Sequence, residues 1–284
     1  MGTTAQKLNK ILETKEAIRT SINNKGGTLT TTDTFASYPT AIDNLPSGGG
    51  DWLKEFLDKS KSARYLFCGY TNYASTIWGN YLTYEILQNA LKYDTTSNVT
   101  DMSNMFYYCA QLTTIPLINT SLVTTMSGMF TSCSKLTTIP QLDTSNVTSM
   151  SGMFQNCSKL TTIPQLDTRN VTNMSAMFYK CYKLITIDIT HMNITSTSYS
   201  SSFAYNCYSL TKLIIRNMTT IPALNSDAFS NCYHFTGTTD ATYNPQGLKD
   251  GRIYVPDDKV DALKTASGWS TYADIIVPLS TLVE

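Results

Sequence analysis

A near-verbatim repeat of 24 residues constrains this chain more than any other feature. LTTIPQLDTSNVTSMSGMFQNCSK runs from Leu136 to Lys159, and LTTIPQLDTRNVTNMSAMFYKCYK from Leu160 to Lys183 repeats it with few changes. The phenylalanine of the MF pair recurs at Phe106, Phe130, Phe154 and Phe178 in steps of 24 residues, then more loosely at Phe203 and Phe229 after steps of 25 and 26. A cysteine trails each one, at Cys109, Cys133, Cys157, Cys181, Cys207 and Cys232. Self-similarity at a period in the twenties predicts a solenoid, in which each unit buries its apolar residues only by stacking on its neighbours.

Within each unit two patterns alternate. Leu160-Thr161-Thr162-Ile163 is short, β-branched and ends at Pro164, which predicts one brief strand per coil. Val147, Met150, Met153, Phe154 and Cys157 are spaced as on one face of a short helix. Asp143-Thr144-Ser145-Asn146 supplies turn and capping residues between them. The expected fold is therefore an α/β solenoid, a leucine-rich-repeat-like array of about six strand–turn–helix coils with a cap at each end.

The remaining chain divides around that array. Residues 1–46 read as a small helical module. Leu8, Ile11, Ile18 and Ile22 form an apolar stripe, either docked on its own domain or bundled between copies as an attachment face. A second apolar face follows in Phe35, Tyr38, Ile42 and Leu45, and residues 47–50 are a glycine-rich linker. Residues 51–93, rich in bulky side chains, are the expected N-terminal cap, and 94–240 the repeats. Residues 241–284 close the array: Arg252–Pro256 reads as a strand, and Asp257 or Asp258 should cap a helix carrying Val260, Leu263 and Ala266.

The quoted units resemble the BspA-type leucine-rich repeats of bacterial surface proteins, over roughly residues 94–235. The match lies in NVT, M, MF, C and L at fixed offsets. It departs at Ile189–Phe203, where the MxxMF pattern is lost, and at Leu122, which stands where later coils have Asn146 and Asn170. The C-terminal IYVPDDKVDALKTASGWSTYADIIVPL is similar to segments that close such arrays, and KLNKILETKEAIRTSINNKGGTLTTTDTFASYPTAIDNL resembles an opening module of phage tail and virion structural proteins. Together these resemblances imply surface recognition from a virion and name no ligand.

Composition narrows the chemistry. Lys+Arg and Asp+Glu are both 21, so there is no excess of positive charge to attract nucleic acid or anionic lipid. No apolar run approaches a membrane span, and the N-terminus lacks a secretory pattern, so the expectation is a chain made in a reducing cytoplasm and carried on a virion. Cysteines appear once per coil rather than in close pairs, and the chain has two histidines, which predicts buried thiols and no metal site. Asp143 and Asp167 hold equivalent turn positions, as caps do and as an acid–base pair does not. No catalytic residues and no cofactor are expected, and a glycan hydrolase would need an essential carboxylate pair.

The informative positions vary while the core repeats. Tyr107, Tyr108, Tyr179, Tyr182, Tyr205 and Tyr208 follow the repeat Phe or Cys, where tyrosine offers a flat face and a hydroxyl to sugars or protein loops. Thr138, Gln141, Thr162 and Gln165 should line the concave strand face. Rim packing and β-propensity account for the same residues in the plainer reading. The functional expectation is a tail- or fibre-associated virion protein whose array binds a host surface glycan or protein. Its N-terminal module would hold other virion proteins, in a homo-oligomer with a trimer among the options. A head or neck decoration protein and a bacterial surface adhesin are the alternatives.

Overall fold

The computed structural model describes residues 96–194 and 197–283, with isolated positions 16, 19, 20, 23, 62, 63 and 66. The apolar stripe Leu8, Ile11, Ile18 and Ile22, the linker and most of the expected N-terminal cap lie outside the described residues.

Successive 24-residue units stack in register. Parallel bridges join Ser62 to Asp101, Asp101 to Thr125, Thr125 to Ser149 and Ser149 to Asn173, one rung per coil. Behind these rungs the apolar residues form continuous columns. Phe106, Phe130, Phe154 and Phe178 are fully buried, with ring centroids 5.4–5.6 Å apart and planes within 10° of parallel. Val99, Val123, Val147 and Val171 form a second column, and the paired methionines two more. A single coil could bury none of these on its own, so cohesion comes from the stacking.

The segment around each Met-x-x-Met-Phe is not the helix its spacing predicts. Residues in the left-handed region occur every fourth position, as at Gly128 and Ser132 (φ 67° and 63°) and at Gly152 and Asn156 (φ 62° and 61°). Each one turns an N–H away from the coil's own carbonyls and toward the next coil. Thus Gly128 N donates to Ser151 O at 2.8 Å, Phe130 N to Met153 O at 2.9 Å and Ser132 N to Gln155 O at 2.7 Å. The alternating Met129, Thr131 and Cys133 donate three residues back within the coil. The apolar spacing that a helix would satisfy is met here by consecutive tight turns, which repeat at nearly the same interval. Backbone bonding between coils replaces the helical ladder.

The strand expected in every coil is also absent from the middle of the array. Pro116, Pro140 and Pro164 follow the LTTI motif, and proline has no N–H to give a ladder. Where Asp188 stands in place of that proline, pairing extends. Strands β1 (Thr186–His191), β2 (Lys212–Asn217), β3 (Arg252–Val255) and β4 (Ile276–Pro278) form a four-stranded parallel sheet in the order β1-β2-β3-β4. Among the described residues helices are few: α1 (Tyr233–Thr236) follows the last repeat cysteine and α2 (Val260–Thr265) joins β3 to β4. A four-stranded parallel sheet continuing a stack of coils, with few helices, is compatible with a repeat or solenoid-like α/β fold.

The C-terminal end closes on an aromatic cluster. Trp269 is buried, lies tilted against Phe229 with ring centroids 6.3 Å apart and donates its indole N–H to Pro222 O at 2.8 Å. Burial, with Cys232 and Asp227 close by, pushes the Tyr272 phenol up to about 12. Asp257 does not cap α2. A 3₁₀ turn over Asp257–Lys259 intervenes, and the Asp257 carboxylate instead accepts the Ser280 N–H at 3.0 Å, pinning the chain end beside it.

Candidate functional site

Cys133, Cys157, Cys181 and Cys207 occupy one kind of slot, beneath the carbonyl of the preceding repeat phenylalanine, and Cys232 donates instead to Ala204 O at 3.2 Å. The Cys133 thiol donates to Phe106 O at 3.0 Å, Cys157 to Phe130 O at 3.1 Å, and Cys181 to Phe154 O at 3.0 Å. These are fully buried free thiols, and burial raises the pKa of Cys157, Cys181, Cys207 and Cys232, which keeps them protonated donors. Among the described residues no group of His, Cys, Asp and Glu is arranged to hold a metal ion, and no helix is long and apolar enough to cross a membrane.

The repeated carboxylates act on turns. Asp143 accepts the Ser145 N–H and hydroxyl at 3.0 and 2.6 Å. Asp167 accepts the Arg169 N–H and guanidinium and the Thr190 hydroxyl. Partial burial works against the Asp167 charge, but the Arg169 and Thr190 hydrogen bonds outweigh it and hold the carboxyl below its ordinary value. The asparagines of the NVT triplets tie coils together: the side-chain amides of Asn146 and Asn170 donate to Ser121 O and Ser145 O, both at 2.7 Å.

The outer surface carries an open groove of about 620 Å³ across several coils. Its floor is set by the left-handed turn positions, where Gly128, Gly152 and Ala176 leave the backbone low. Gly128 suits the left-handed turn (φ 67°), and a β-carbon there would lie 2.4 Å from the Asn104 amide oxygen, so that side chain would have to move aside. Serine hydroxyls line the same floor and bond from coil to coil, Ser127 to Ser149 at 2.8 Å and Ser151 to Ser175 at 2.9 Å. Tyr107 and Tyr108 stand in the first coil of the groove and Tyr179 in the fourth, with Thr131, Ser132, Gln155 and Asn156 between them. Tyr108 holds φ 61°, an unusual conformation for a bulky residue, and is 39% exposed.

The ten surface positions expected to bind fall into three places. Tyr107, Tyr108 and Tyr179 are brought together in the groove. Tyr205 stacks on Tyr179 at 5.4 Å and extends its ring column by one coil. Tyr182 and Tyr208 form a different column, stacked at 5.0 Å and continued by Tyr233 at 4.9 Å, with Tyr243 tilted against Tyr208. Burial comes first among the causes that raise the Tyr208 phenol, followed by the neighbouring phenols. Rings stacked in this way offer edges and hydroxyls rather than open faces.

Thr138, Gln141, Thr162 and Gln165 are exposed and none lines the groove. Gln141 donates to Gln165 O at 2.9 Å and Gln165 to the Asp188 carboxylate at 3.2 Å, so part of that face is engaged in holding coils together. Arg216 completes the row with a bidentate pair to Asp188 at 2.9 and 2.7 Å. The groove floor was not singled out from sequence. The signal available was the recurrence of Ser-Gly, Ser-Gly and Ser-Ala at Ser127, Ser151 and Ser175, which marks close backbone approach in consecutive coils.

Comparison with known proteins adds one finding. The profile of the DUF285 family, described as "Mycoplasma protein of unknown function", matches residues 80–162 and 137–241, together more than half of the chain. No curated protein matches the chain. The matched span includes the coils quoted above and is compatible with a BspA-type surface repeat protein. The chain belongs to the DUF285 family.

Proposed function

We propose that this chain is a recognition protein of the BspA-type leucine-rich-repeat kind, carried on a phage virion, whose array binds the host cell surface. The observation that carries the binding reading is the groove, with tyrosines in its first and fourth coils, Ser198, Ser201 and Ser202 beyond them, and a floor of small and hydroxyl-bearing residues. Tyr108 stands at a left-handed position where later coils place Ser132, Asn156, Lys180 and Asn206, so the turn itself does not call for a ring there. Placement on a virion is drawn from the resemblance of the opening residues to phage structural modules. The attached array would gain from multiplicity, because a second contact made by a tethered partner meets a high effective concentration.

The test is binding of the labelled full chain, displayed in many copies on beads, to a panel of bacterial cells. The expected result is saturable binding to some strains, weakened by Tyr108→Asn with Tyr179→Ser. Asparagine keeps the left-handed turn at 108, so the fold is retained. Unchanged binding by the double variant would move the site off the groove, and no binding to any strain would reject recognition of cells.

A further inference from the structure

We infer that the groove takes a neutral, linear saccharide chain lying along the stack of coils; this rests on the recognition reading above. The first argument is charge. The lining residues are serine, threonine, asparagine, glutamine, tyrosine, glycine and alanine, with no acidic or basic side chain among them. Lys180 sits beside the lining with its ammonium 5.1 Å from the Tyr179 ring centroid, and Asp227 accepts the Ser202 N–H and hydroxyl, so a polyanion or a basic peptide would leave most of its charges uncompensated along the floor. A protein loop gains most of its affinity from a large apolar or arginine anchor in a deep socket, and this floor of glycine, alanine and serine offers none. A polyol has the opposite needs: many weak donors and acceptors, and aromatic edges or faces against its C–H groups. Hydroxyls and amides from Ser132, Gln155 and Asn156, with Tyr108 in the first coil and Tyr179 in the fourth, meet both.

The second argument is periodicity. Equivalent positions recur once per coil, held by parallel bridges from Asp101 through Asn173. Bridged backbone sets neighbouring coils about 4.8 Å apart, so the three steps from Tyr107 to Tyr179 span roughly 14 Å. One pyranose ring of an extended chain advances by nearly the same distance as one coil. A repeating ligand therefore meets the same serine-lined floor at every unit. The span between the tyrosines holds about three rings.

The experiment is titration of the full chain with neutral linear oligosaccharides of increasing length, followed by calorimetry, with polygalacturonate as the acidic control. Affinity for at least one neutral series should rise with length and level off at about three rings, with little dependence on salt, while the acidic control does not bind. Gln155→Ala should weaken that binding by about tenfold, and Ser151→Tyr, which fills the groove, should abolish it. A melting temperature like that of the parent shows that Gln155→Ala acts on the ligand and not on folding. Binding only to the acidic polymer, or to no saccharide, overturns the inference.

Cell binding separates its failure from that of the broader reading. Adhesion that survives periodate oxidation of the cells but is lost on protease treatment would keep recognition and reject the saccharide. Saccharide binding without adhesion to any cell would support the inference and reject the broader reading.

Discussion

The coils carrying Phe106 to Phe178 and those carrying Phe203 and Phe229 solve one packing problem in two ways. In the first group the period is constant, and the rings stack with planes 4–10° apart. In the second the period slips by a residue or two, and the rings turn edge-on, at 88° and 89°. Side-chain ladders run through the regular coils as asparagine to carbonyl, serine to serine, and Thr124, Thr148 and Thr172 each bonded to the preceding coil, and they continue past Phe178 in Asn193 to Arg169 O, Ser200 to Ala223 O and Thr211 to Ile185 O. A backbone ladder tolerates the slip, and β1 to β4 run where the slip occurs. The lesson is that an exact period lets identical rings stack in parallel, while a slipped one turns the rings edge-on and adds strand pairing to the side-chain rungs that remain.

The largest effect should come from the ring column. Phe154→Ala empties a fully buried slot between Phe130 and Phe178 and should cost about 3–5 kcal/mol in chemical denaturation. Phe203→Ala removes an equally buried ring from the edge-on group. If burial dominates, the two losses agree to within about 1 kcal/mol, since ring geometry adds only roughly 0.5–1.5 kcal/mol per pair. A much larger loss at Phe154 would show that parallel stacking itself holds the regular coils.

That column was readable from sequence because a buried slot in a stacked coil recurs at the repeat period whatever the backbone does between. Phe154 and Cys157 announced themselves in this way. The spacing around Met150–Cys157 does not separate helix from turns, for a physical reason: helical spacing and a run of four-residue turns place apolar side chains at nearly the same positions. Gly152, Asn156 and their equivalents at Gly128 and Ser132 were the distinguishing signs, residues suited to the left-handed region at an interval of four. Proline explains the missing strands, and Asp188 explains where pairing begins. The tyrosines were visible as variable positions, yet their division into a groove and a separate stacked column depends on where each ring points, which the spacing does not encode.

A smaller effect is expected at the thiol column. Phe130 O accepts both the Cys133 N–H and the Cys157 thiol, so Cys157→Ala leaves that carbonyl with one partner. The loss should be about 1 kcal/mol in the same denaturation assay. Cys157→Ser keeps a donor in the slot and should lose less. Alanine and serine variants of equal stability would mean that packing alone explains the column. Burial, with the neighbouring Cys181 and Cys133, raises the Cys157 pKa, so a thiol reagent should label it only as the chain unfolds.

The finest test lies where the regular group is itself irregular. Leu122 takes the place of Asn146 and Asn170 and is 48% exposed, so its coil lacks the amide-to-carbonyl rung that the next two coils have. Leu122→Asn removes an exposed apolar side chain and puts an amide at the height of Ser97, one coil back. If the regular period is what makes these ladders possible, the new amide should find the Ser97 backbone and stabilise the chain by about 0.5–1.5 kcal/mol. Asn146→Leu, which removes the corresponding rung one coil later, should lose a similar amount. A stability unchanged by Leu122→Asn would mean that the rung depends on local turn geometry around Asp143 and Asp167, whose carboxylates fix the residue two positions on, rather than on the period. Asn119 offers the way to decide, because it accepts the Ser121 N–H at 3.0 Å and the Ser121 hydroxyl at 2.8 Å as Asp143 does those of Ser145. With the turn already built in the Leu122 coil, only the missing amide separates it from its neighbours, and the substitution isolates that one group.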